Sequence, residues 1–439
     1  MRVALVDCNN FYVSCERAFN PGIRDVPVVV LSNNDGCIIS RSAEAKALGV
    51  RMGHPYHEIR DLVQKGYLHC FSSNYPLYGD MSQRVMSTLE TFSPAVEPYS
   101  IDEAFLSLYP QGGMSYTDQG RKIRETVGRW TGIPVSVGMA ATKTLAKIAA
   151  DMAKKHPDGA VDLATQDLDR ILAETPVEGV WGVGRRLGKR LRNSGITDAR
   201  TLRDVDDRWA RSKLNVVQRR TIMELRGTPC ITVDSAPVSR QSLIWTRSFG
   251  RKLTEKEPVF EAVAAFAARV GFKLRKRKLA ASYLYVFASV RGSGSSHSSY
   301  SGSSVSASCM LPSPTSGTPE LVRCAHELLE RCFVEGQKYF RAGVVAHGLV
   351  PESSLQTNLF STTEKNPSET RAMQAMDRIN RRWGKEILSV AAAGTQQLWK
   401  MKQERLSPRY TTNWDEISVF YPLPNPFRNA HEVEAARTS

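Results

Sequence analysis

Two adjacent carboxylates, Asp102 and Glu103, stand between two apolar runs and constrain the fold more than any other feature of the chain. Residues 94–99 and 104–108 are predicted strands, and neighbouring side chains in a straight strand point to opposite faces. Both carboxylates can act together only if they lie at a turn or bulge. A third, Asp7, ends a predicted strand at residues 3–6. Three carboxylates gathered at strand ends repel one another unless a hard cation such as Mg²⁺ neutralises them.

The composition points to several domains and to a polyanionic partner. With 439 residues the chain is too long for one ordinary core. Its 59 Lys and Arg against 44 Asp and Glu give a net charge of +15, which favours nucleic acid, although a merely basic surface is the alternative. The eight cysteines form no C-x-x-C pair, so we expect neither a zinc site nor a disulfide framework. No signal peptide or long apolar run is visible, and we expect a cytoplasmic protein.

The order of predicted elements changes three times along the chain. Up to about residue 165, strands and helices alternate through hairpins and crossovers, which predicts a ferredoxin-like sheet with helices on one face. The next seventy residues have only helical periodicity, and residues 240–350 again mix strands with helices. The serine- and glycine-rich run 291–304 predicts a mobile hairpin loop, and the chain after about 350 is expected to be extended.

The residues around the three carboxylates carry a family resemblance. The segments Val6–Tyr12 and Tyr99–Phe105 resemble the two catalytic motifs of Y-family translesion DNA polymerases, and the similarity extends over nearly the whole chain. The segment Leu406–Thr412 resembles the C-terminal sequence of UmuC-type subunits of bacterial DNA polymerase V, including plasmid- and mobile-element-borne relatives. The resemblance implies an α+β multidomain protein with the right-hand architecture of that family.

The resemblance also implies a division into five parts. The palm is expected at 1–19 and 80–165, the fingers at 20–79, a helical thumb with a helix-hairpin-helix at 166–235, and an α+β little finger that binds DNA at 240–350. An extended C-terminal tail, 351–439, is expected to hold a clamp-binding peptide and a partner-binding region.

For the reaction centre, the resemblance implies a two-metal site. Asp7, Asp102 and Glu103 are expected to hold two Mg²⁺ ions, with the backbone carbonyl of Cys8 as a further ligand. Most family members carry an aromatic residue in place of Cys8, a change that a backbone ligand tolerates. The ions would align a primer 3′-hydroxyl with the α-phosphate of a dNTP.

Several cations and aromatic residues are expected to bind the nucleotide. Lys143, Lys147 and Lys154 fall near one face of the predicted helix 142–155, which is usually a solvated face. The last of these lies in a segment that resembles the family's triphosphate-contacting stretch, so Lys154 is singled out. The resemblance adds four more residues, with Tyr12 as the steric gate against a ribose 2′-hydroxyl: Phe11, Tyr12, Ser40 and Lys46.

Two basic clusters are expected to bind the DNA backbone, and one short peptide to bind the sliding clamp. The thumb cluster surrounds a G-x-G turn that resembles a helix-hairpin-helix, and the second cluster lies in the little finger. The DNA-binding residues are Gly182, Gly184, Arg185, Arg186, Lys189, Arg275, Lys276 and Arg277. The clamp-binding residues are Gln356, Leu359 and Phe360.

The sequence therefore predicts an error-prone translesion DNA polymerase that acts in an SOS-type damage response. The resemblance implies primer-template DNA, dNTP, a processed UmuD-type dimer, a RecA filament and the sliding clamp as partners. A non-catalytic DNA-binding subunit of a repair complex is the alternative, but it predicts the loss of a metal carboxylate. A nucleotide cyclase on a similar palm has no use for the two basic clusters.

Overall fold

The computed structural model describes residues 1–110, 112–234, 240–291, 302–354, 367–383 and 387–416. The chain forms two compact units. Unit 1 comprises residues 1–31, 37–236 and 405–439, and unit 2 comprises residues 32–36 and 237–404. No described helix combines the length and the apolar composition needed to cross a membrane.

Unit 1 contains eight strands and eleven α-helices within its described residues. In chain order they are β1 (Arg2–Cys8), α1 (Phe11–Phe19), β2 (Val28–Leu31), β3 (Ile38–Arg41), α2 (Ala43–Ala47), α3 (Tyr56–Gln64), β4 (His69–Ser72), α4 (Tyr75–Leu89), β5 (Val96–Pro98), β6 (Glu103–Leu108), α5 (Tyr116–Thr131), β7 (Val135–Ala140), α6 (Lys143–Ala153), β8 (Ala160–Asp162), α7 (Leu168–Glu174), α8 (Arg185–Asn193), α9 (Ala199–Arg203), α10 (Asp207–Lys213) and α11 (Val216–Leu225).

The central sheet of unit 1 has the order β5-β6-β1-β7-β8, so β1 lies in its middle. Ala4 and Val6 belong to a core that includes α1, α4 and α5, whereas Val3 and Leu5 belong to another core that includes α6. Helices thus cover both faces of the sheet, and the expectation of helices on one face is wrong. The physical reason is visible in β1, whose uninterrupted apolar run must be buried on both sides.

Two smaller substructures of unit 1 flank this sheet in sequence. Strands β3, β2 and β4 form a separate three-stranded sheet around Val29 and Leu31, with Ser42 capping α2 through the Ala45 N–H. Between residues 166 and 234 the described chain holds helices α7 to α11 and no strand, in agreement with its helical periodicity. Leu172, Leu202 and other apolar residues of these helices join the core beneath α6.

Unit 2 is a four-stranded antiparallel sheet with two long helices against it. Its elements are β9 (Ser242–Leu253), α12 (Lys256–Lys276), β10 (Leu279–Arg291), β11 (Gly302–Thr315), α13 (Thr318–Cys332), β12 (Tyr339–Pro351) and α14 (Pro367–Trp383). The sheet order is β11-β10-β12-β9, and the core is centred on residues such as Phe266 and Leu284. The sequence predicted a hairpin after β10 but not the bounds of its second strand, β11, because the serines of β11 obscure an alternation in which Val305, Ala307 and Leu311 pack on the core.

The C-terminal region departs from the expected extended tail. Residues 367–383 form the helix α14, which is attached to the rest of unit 2 by an ion pair between Asp377 and Arg275, with a distance of 2.8 Å between carboxylate and guanidinium. The helix also has apolar residues at helical spacing, Ala372, Met376 and Ile379, a signal that the sequence prediction of an extended tail overlooked. Residues 405–416 belong to unit 1.

The packing of α6 on β7 depends on Gly138. A Cβ at this position would clash with the backbone of Ala149 and Ala150. We predict that Gly138→Ala lowers the free energy of unfolding by about 2–3 kcal/mol, because α6 must move off the sheet. Thermal unfolding followed by circular dichroism tests this. The control is Gly128→Ala on α5, where the added methyl meets open space and helix propensity gains up to about 1 kcal/mol. Equal midpoints for the two variants would contradict the prediction.

Candidate active site

A cleft of about 800 Å³ in unit 1 opens at the end of β1. It is bounded by the β1–α1 turn, by β3 with the start of α2, by the turn before β6 and by the end of α6. All the predicted catalytic, metal-binding and nucleotide-binding residues except Glu103 line it: Asp7, Cys8, Phe11, Tyr12, Ser40, Lys46, Asp102 and Lys154. Residues from four separate parts of the sequence are thereby brought to one place.

Strand register positions the three carboxylates. In the antiparallel pair of β1 and β6, Asp7 stands opposite Glu103. Asp102 lies in the turn just before β6, and its carbonyl accepts from the Cys8 N–H at 2.8 Å. The hydroxyl of Ser100 donates to the Asp102 carboxylate at 2.6 Å and fixes it within the turn. The turn expected from the adjacent carboxylates is therefore present.

Lysines from α6 neutralise two of these carboxylates. The Lys154 ammonium lies 2.8 Å from Asp7, and the Lys147 ammonium lies 3.0 Å from Glu103. Among the described residues, no three His, Cys, Asp or Glu side chains are grouped so as to hold a metal ion. The donor set nevertheless fits Mg²⁺ in kind, since every oxygen it offers is a hard ligand. Lys147 and Lys154 must move away from Glu103 and Asp7 before these carboxylates can bind a cation.

The electrostatics of Asp7 reflect this crowding. Burial raises the pKa of Asp7 to about 6, and the Lys154 ammonium acts against that rise. The neighbouring Glu103 carboxylate raises the Asp7 pKa further, because two negative charges stand side by side. A buried carboxylate beside another carboxylate is a position at which a cation is favoured.

Tyr12 lines the cleft, and other aromatic rings pack against it from outside the cleft. Tyr12 stacks on Tyr78, with ring centroids 4.5 Å apart and planes 18° apart, while Tyr75 meets Tyr12 edge-on at 6.3 Å. Phe11 is 3% exposed, and its ring packs into the core. Sequence reasoning missed Tyr78, because a tyrosine on a helix carries no signal that it backs another ring.

Strand β3 and helix α2 also contribute polar groups to the cleft. Lys46 donates to the Asn10 side chain at 2.9 Å, and the Ser40 hydroxyl donates to the Asn10 carbonyl at 3.3 Å. Asn10 has a left-handed backbone (φ 46°), which asparagine tolerates better than most residues. Arg41 also lines the cleft and was missed, although its charge directly after Ser40 was a signal for it.

The three lysines expected on one face of α6 have separate environments. Lys143 is 2% exposed, pairs with Glu97 at 2.6 Å and lies over the Phe105 ring. It is thus held inside unit 1 and does not line the cleft. Lys143 and Lys147 both lie over the Phe105 ring, so they share a helix face as expected. Lys143 is buried and not solvated, because a carboxylate and a ring stabilise its charge there.

The predicted thumb residues lie on an exposed turn and helix start. Gly182 has a positive φ of 90°, which permits the tight turn, and Gly184 precedes α8 as its N-cap. The members Gly182, Gly184, Arg185, Arg186 and Lys189 are all exposed. Free N–H groups at a helix start together with exposed arginines suit a phosphate backbone.

The predicted little-finger cluster is divided. Lys276 and Arg277 are exposed. Arg275 instead makes two hydrogen bonds to Asp377, at 2.8 and 2.9 Å, and one to the Ser316 carbonyl. Its guanidinium is committed to anchoring α14, so the structure contradicts its expected place in a DNA-binding surface.

Unit 2 carries another basic surface, around Trp245. Lys273 and Arg247 each lie 4.3 Å from the centre of this ring, and Arg269 lies 5.7 Å from it. Burial, followed by the charge of Arg277, lowers the pKa of Lys273. Crowded cations of this kind favour an anionic partner. The clamp-binding residues Gln356, Leu359 and Phe360 lie outside the described residues.

Comparison with known proteins assigns the chain to a family. The impB/mucB/samB family matches residues 6–151, its C-terminal domain matches 240–359, and its helix-hairpin-helix motif matches 165–196. A domain described only as one of unknown function matches residues 370–419. A solved chain, the Y-family DNA polymerase chimera Dbh-Dpo4(243-245)-Dbh, has a TM-score of 0.62 at 21% identity and covers 80% of this chain and 100% of its own. The fold is that of a Y-family DNA polymerase.

Individual relatives cover almost the entire chain. Protein UmuC of Salmonella typhimurium (strain LT2) is 42% identical over 94% of this chain and 99% of its own. Protein ImpB of Salmonella typhimurium is 40% identical over 95% of this chain and 99% of its own. DNA polymerase IV of Moorella thermoacetica is 28% identical over 90% of this chain. The chain therefore belongs to the impB/mucB/samB family and is a UmuC-type member of it.

The position of Lys154 leads to a kinetic prediction. Replacing it by Met removes the ammonium at the cleft end of α6, and we expect the KM for dNTP to rise about tenfold, because one charge-assisted phosphate contact is lost. Steady-state primer extension measures this. Lys155→Met is the matched control, since Lys155 is the exposed neighbouring lysine. An unchanged KM in Lys154→Met would contradict a role for this ammonium in nucleotide binding.

Proposed function

We propose that the cleft is the nucleotidyl-transfer site of this Y-family translesion DNA polymerase. The observation that supports the proposal most directly is the convergence of Asp7, Asp102, Tyr12 and Lys154 on one cavity. Its volume of about 800 Å³ is suited to a nucleoside triphosphate. The substrates are a primer 3′-hydroxyl and a dNTP paired with the template, and pyrophosphate is the leaving group.

The carboxylates form the negative side of the site. Asp7, Asp102, Glu103 and the backbone carbonyl of Cys8 would hold two Mg²⁺ ions. Ions bound by these residues would supply positive charge for the α-phosphate and for the attacking hydroxyl. Ser100 keeps the Asp102 carboxylate oriented, and the register of β1 with β6 keeps Asp7 beside Glu103.

The positive side of the site is built from α6 and the fingers. Lys154 and Lys46 are the cations that would bind the triphosphate, and the Ser40 hydroxyl is within reach of the same phosphates. Burial lowers the pKa of Lys46, and the nearby positive charges of Arg41 and Lys154 lower it further. Bringing these like charges together is unfavourable without an anion, so a triphosphate is the natural ligand.

Tyr12 supplies selection for the sugar. In the proposed pose its ring lies under the deoxyribose, with Phe11 packed behind it, and a ribose 2′-hydroxyl would clash with the ring. Such a steric gate works only if the ring cannot retreat. The stack of Tyr12 on the fully buried Tyr78 provides that resistance.

DNA binding and partners complete the proposal. The exposed thumb residues, with Lys276 and Arg277 of unit 2, would contact phosphates without reading sequence. The family setting adds a processed UmuD-type dimer, a RecA filament and the sliding clamp, the last through Gln356, Leu359 and Phe360. We propose action in the cytoplasm, during an SOS-type response.

The non-catalytic alternative is disfavoured by the residues of the cleft. A subunit that only holds DNA has no need of two carboxylates, a gate tyrosine and a triphosphate-binding lysine in one cavity, with a third carboxylate paired to the first across the sheet. A cyclase, for its part, has no need of the exposed thumb cations.

Primer extension across an abasic site tests the function. The assay contains Mg²⁺, dNTPs, the full chain, a processed UmuD-type partner and RecA filaments. We expect synthesis past the lesion by the wild type and at least about a thousandfold loss in Asp102→Ala/Glu103→Ala, since the charge stabilisation of the transition state is removed.

Two controls separate the possible outcomes. Glu90→Ala/Glu125→Ala removes two exposed carboxylates of unit 1 and should leave synthesis unchanged. DNA binding by the catalytic variant, measured by fluorescence anisotropy, should also persist. Equal extension by wild type and catalytic variant would reveal a contaminating polymerase, and DNA binding without synthesis by the wild type would favour the non-catalytic alternative.

A further inference from the structure

A C-terminal segment, Arg405–Glu416, belongs to unit 1, and all of it lies within the match to a domain of unknown function. It joins the edge of the fingers sheet, where the Ser72 N–H donates to the Arg405 carbonyl at 2.9 Å and the Arg405 N–H donates to the Ser72 hydroxyl at 3.0 Å. Further along, Tyr410 stacks on Phe19 with centroids 4.9 Å apart and planes 6° apart. The segment thus contacts the end of β4 through Arg405 and the end of α1 through Tyr410.

Ser407 is the centre of this contact. Its hydroxyl donates to Glu16 at 3.0 Å and accepts from the Asn74 side-chain amide, also at 3.0 Å. The same amide donates to the carbonyls of Ser407 and Pro408, each at 3.2 Å. Asn74 is fully buried and caps α4 through the Leu77 N–H. A buried polar network of this kind is stabilising only when all its members are paired.

The network continues from Glu16 to the ring of Tyr12, which lines the cleft. The Tyr78 hydroxyl donates to the same carboxylate oxygen of Glu16, at 2.7 Å. Glu16 is 1% exposed and Tyr78 is 0% exposed, so neither group can exchange its partner for bulk water. The Tyr78 ring then stacks on Tyr12. Three consecutive contacts connect Ser407 to Tyr12.

We propose that this C-terminal segment sets the position of the sugar-selecting ring: Ser407 orients Glu16, Glu16 holds the hydroxyl of Tyr78, and the Tyr78 ring supports Tyr12. The inference rests on the proposed function, in which Tyr12 excludes the ribose 2′-hydroxyl. Ser407, Glu16 and Tyr78 are positioning residues, since they act through Tyr12 and line no part of the cleft.

The chemistry of Glu16 is consistent with this role. Burial raises the pKa of Glu16 to about 7, and the hydrogen bonds from Tyr78 and Ser407 act against that rise. Both hydroxyls donate to one oxygen, Oε1, so the second oxygen can carry a proton without breaking either bond. Besides Tyr78, the titratable neighbours that sense Glu16 are Tyr410 and Cys15, whose pKa values are also raised, mainly by burial. The link therefore survives either protonation state.

Sugar selection by Tyr78→Phe and Ser407→Ala tests the proposal. Single-nucleotide incorporation by the full complex gives kcat/KM for a dNTP and for the matching rNTP. We expect the dNTP-to-rNTP ratio to fall about three- to tenfold in both variants, chiefly through faster rNTP use, because a loosened Tyr12 admits the 2′-hydroxyl. Ser407→Thr keeps the hydroxyl and should retain most of the wild-type ratio.

Matched controls make the result specific. Tyr67→Phe and Ser87→Ala alter an exposed tyrosine and an exposed serine of unit 1 and should leave the ratio unchanged. An equal fall of dNTP and rNTP incorporation in Tyr78→Phe and Ser407→Ala, with a lower thermal midpoint, would reduce the network to a structural role and overturn the proposal.

Tyr12→Ala separates this inference from the function on which it rests. If Tyr12→Ala loses sugar selection while Tyr78→Phe and Ser407→Ala keep it, the proposed role of Tyr12 is supported and the proposed role of the C-terminal segment is wrong. If Tyr12→Ala itself keeps the wild-type ratio, the proposed role of Tyr12 fails, and the inference fails with it. Loss of selection in all three variants supports both.

Discussion

The antiparallel pairing of β1 with β6 is the constraint on which the cleft depends, because it sets Asp7 opposite Glu103. A slip of one residue would send every side chain of β1 to the other face of the sheet. Both faces of β1 are buried, with Ala4 and Val6 in one core and Val3 and Leu5 in the other, so a slip would exchange side chains of different size between two close-packed cores. The position of a polar site is thus determined by apolar packing several residues away.

Charge balance in the cleft follows from the same framework. Helix α6 crosses the sheet on the face opposite to α4 and α5, close enough at Gly138 to exclude any side chain. Its Lys147 and Lys154 consequently reach Glu103 and Asp7. Lys154 also lies 3.2 Å from Asp151, so it keeps one carboxylate partner if it releases Asp7. A lysine with two alternative partners can turn toward phosphate oxygens at little electrostatic cost.

Sequence reasoning found the parts of this molecule whose signals are local. A strand end, adjacent carboxylates and a lysine in a recognisable segment led to Asp7, Asp102 and Lys154, which line the cleft together. It failed where a partner distant in sequence decides the outcome. Arg275 belongs to a basic run, but Asp377, more than a hundred residues later, takes its guanidinium out of the surface. The bounds of strand β11 were hidden by its serines, and Tyr78 was hidden by the absence of any local sign of its contact with Tyr12.

The link between Ser407 and Glu16 is an extreme case of such distance, since 391 residues separate the two. Closing so long a loop has an entropic cost that grows only slowly with length, so sequence separation alone does not forbid the contact. The contact requires that each buried polar group in it has a hydrogen-bond partner, because a buried carboxylate that lacks a donor is strongly unfavourable. Asn74, Tyr78 and Ser407 meet that requirement together, and an incoming segment without a hydroxyl at the Ser407 position would leave Glu16 under-paired. The hydrogen bonds to Glu16 that hold the docked segment also hold Tyr78. The position of the Tyr78 ring behind Tyr12 therefore depends on that segment.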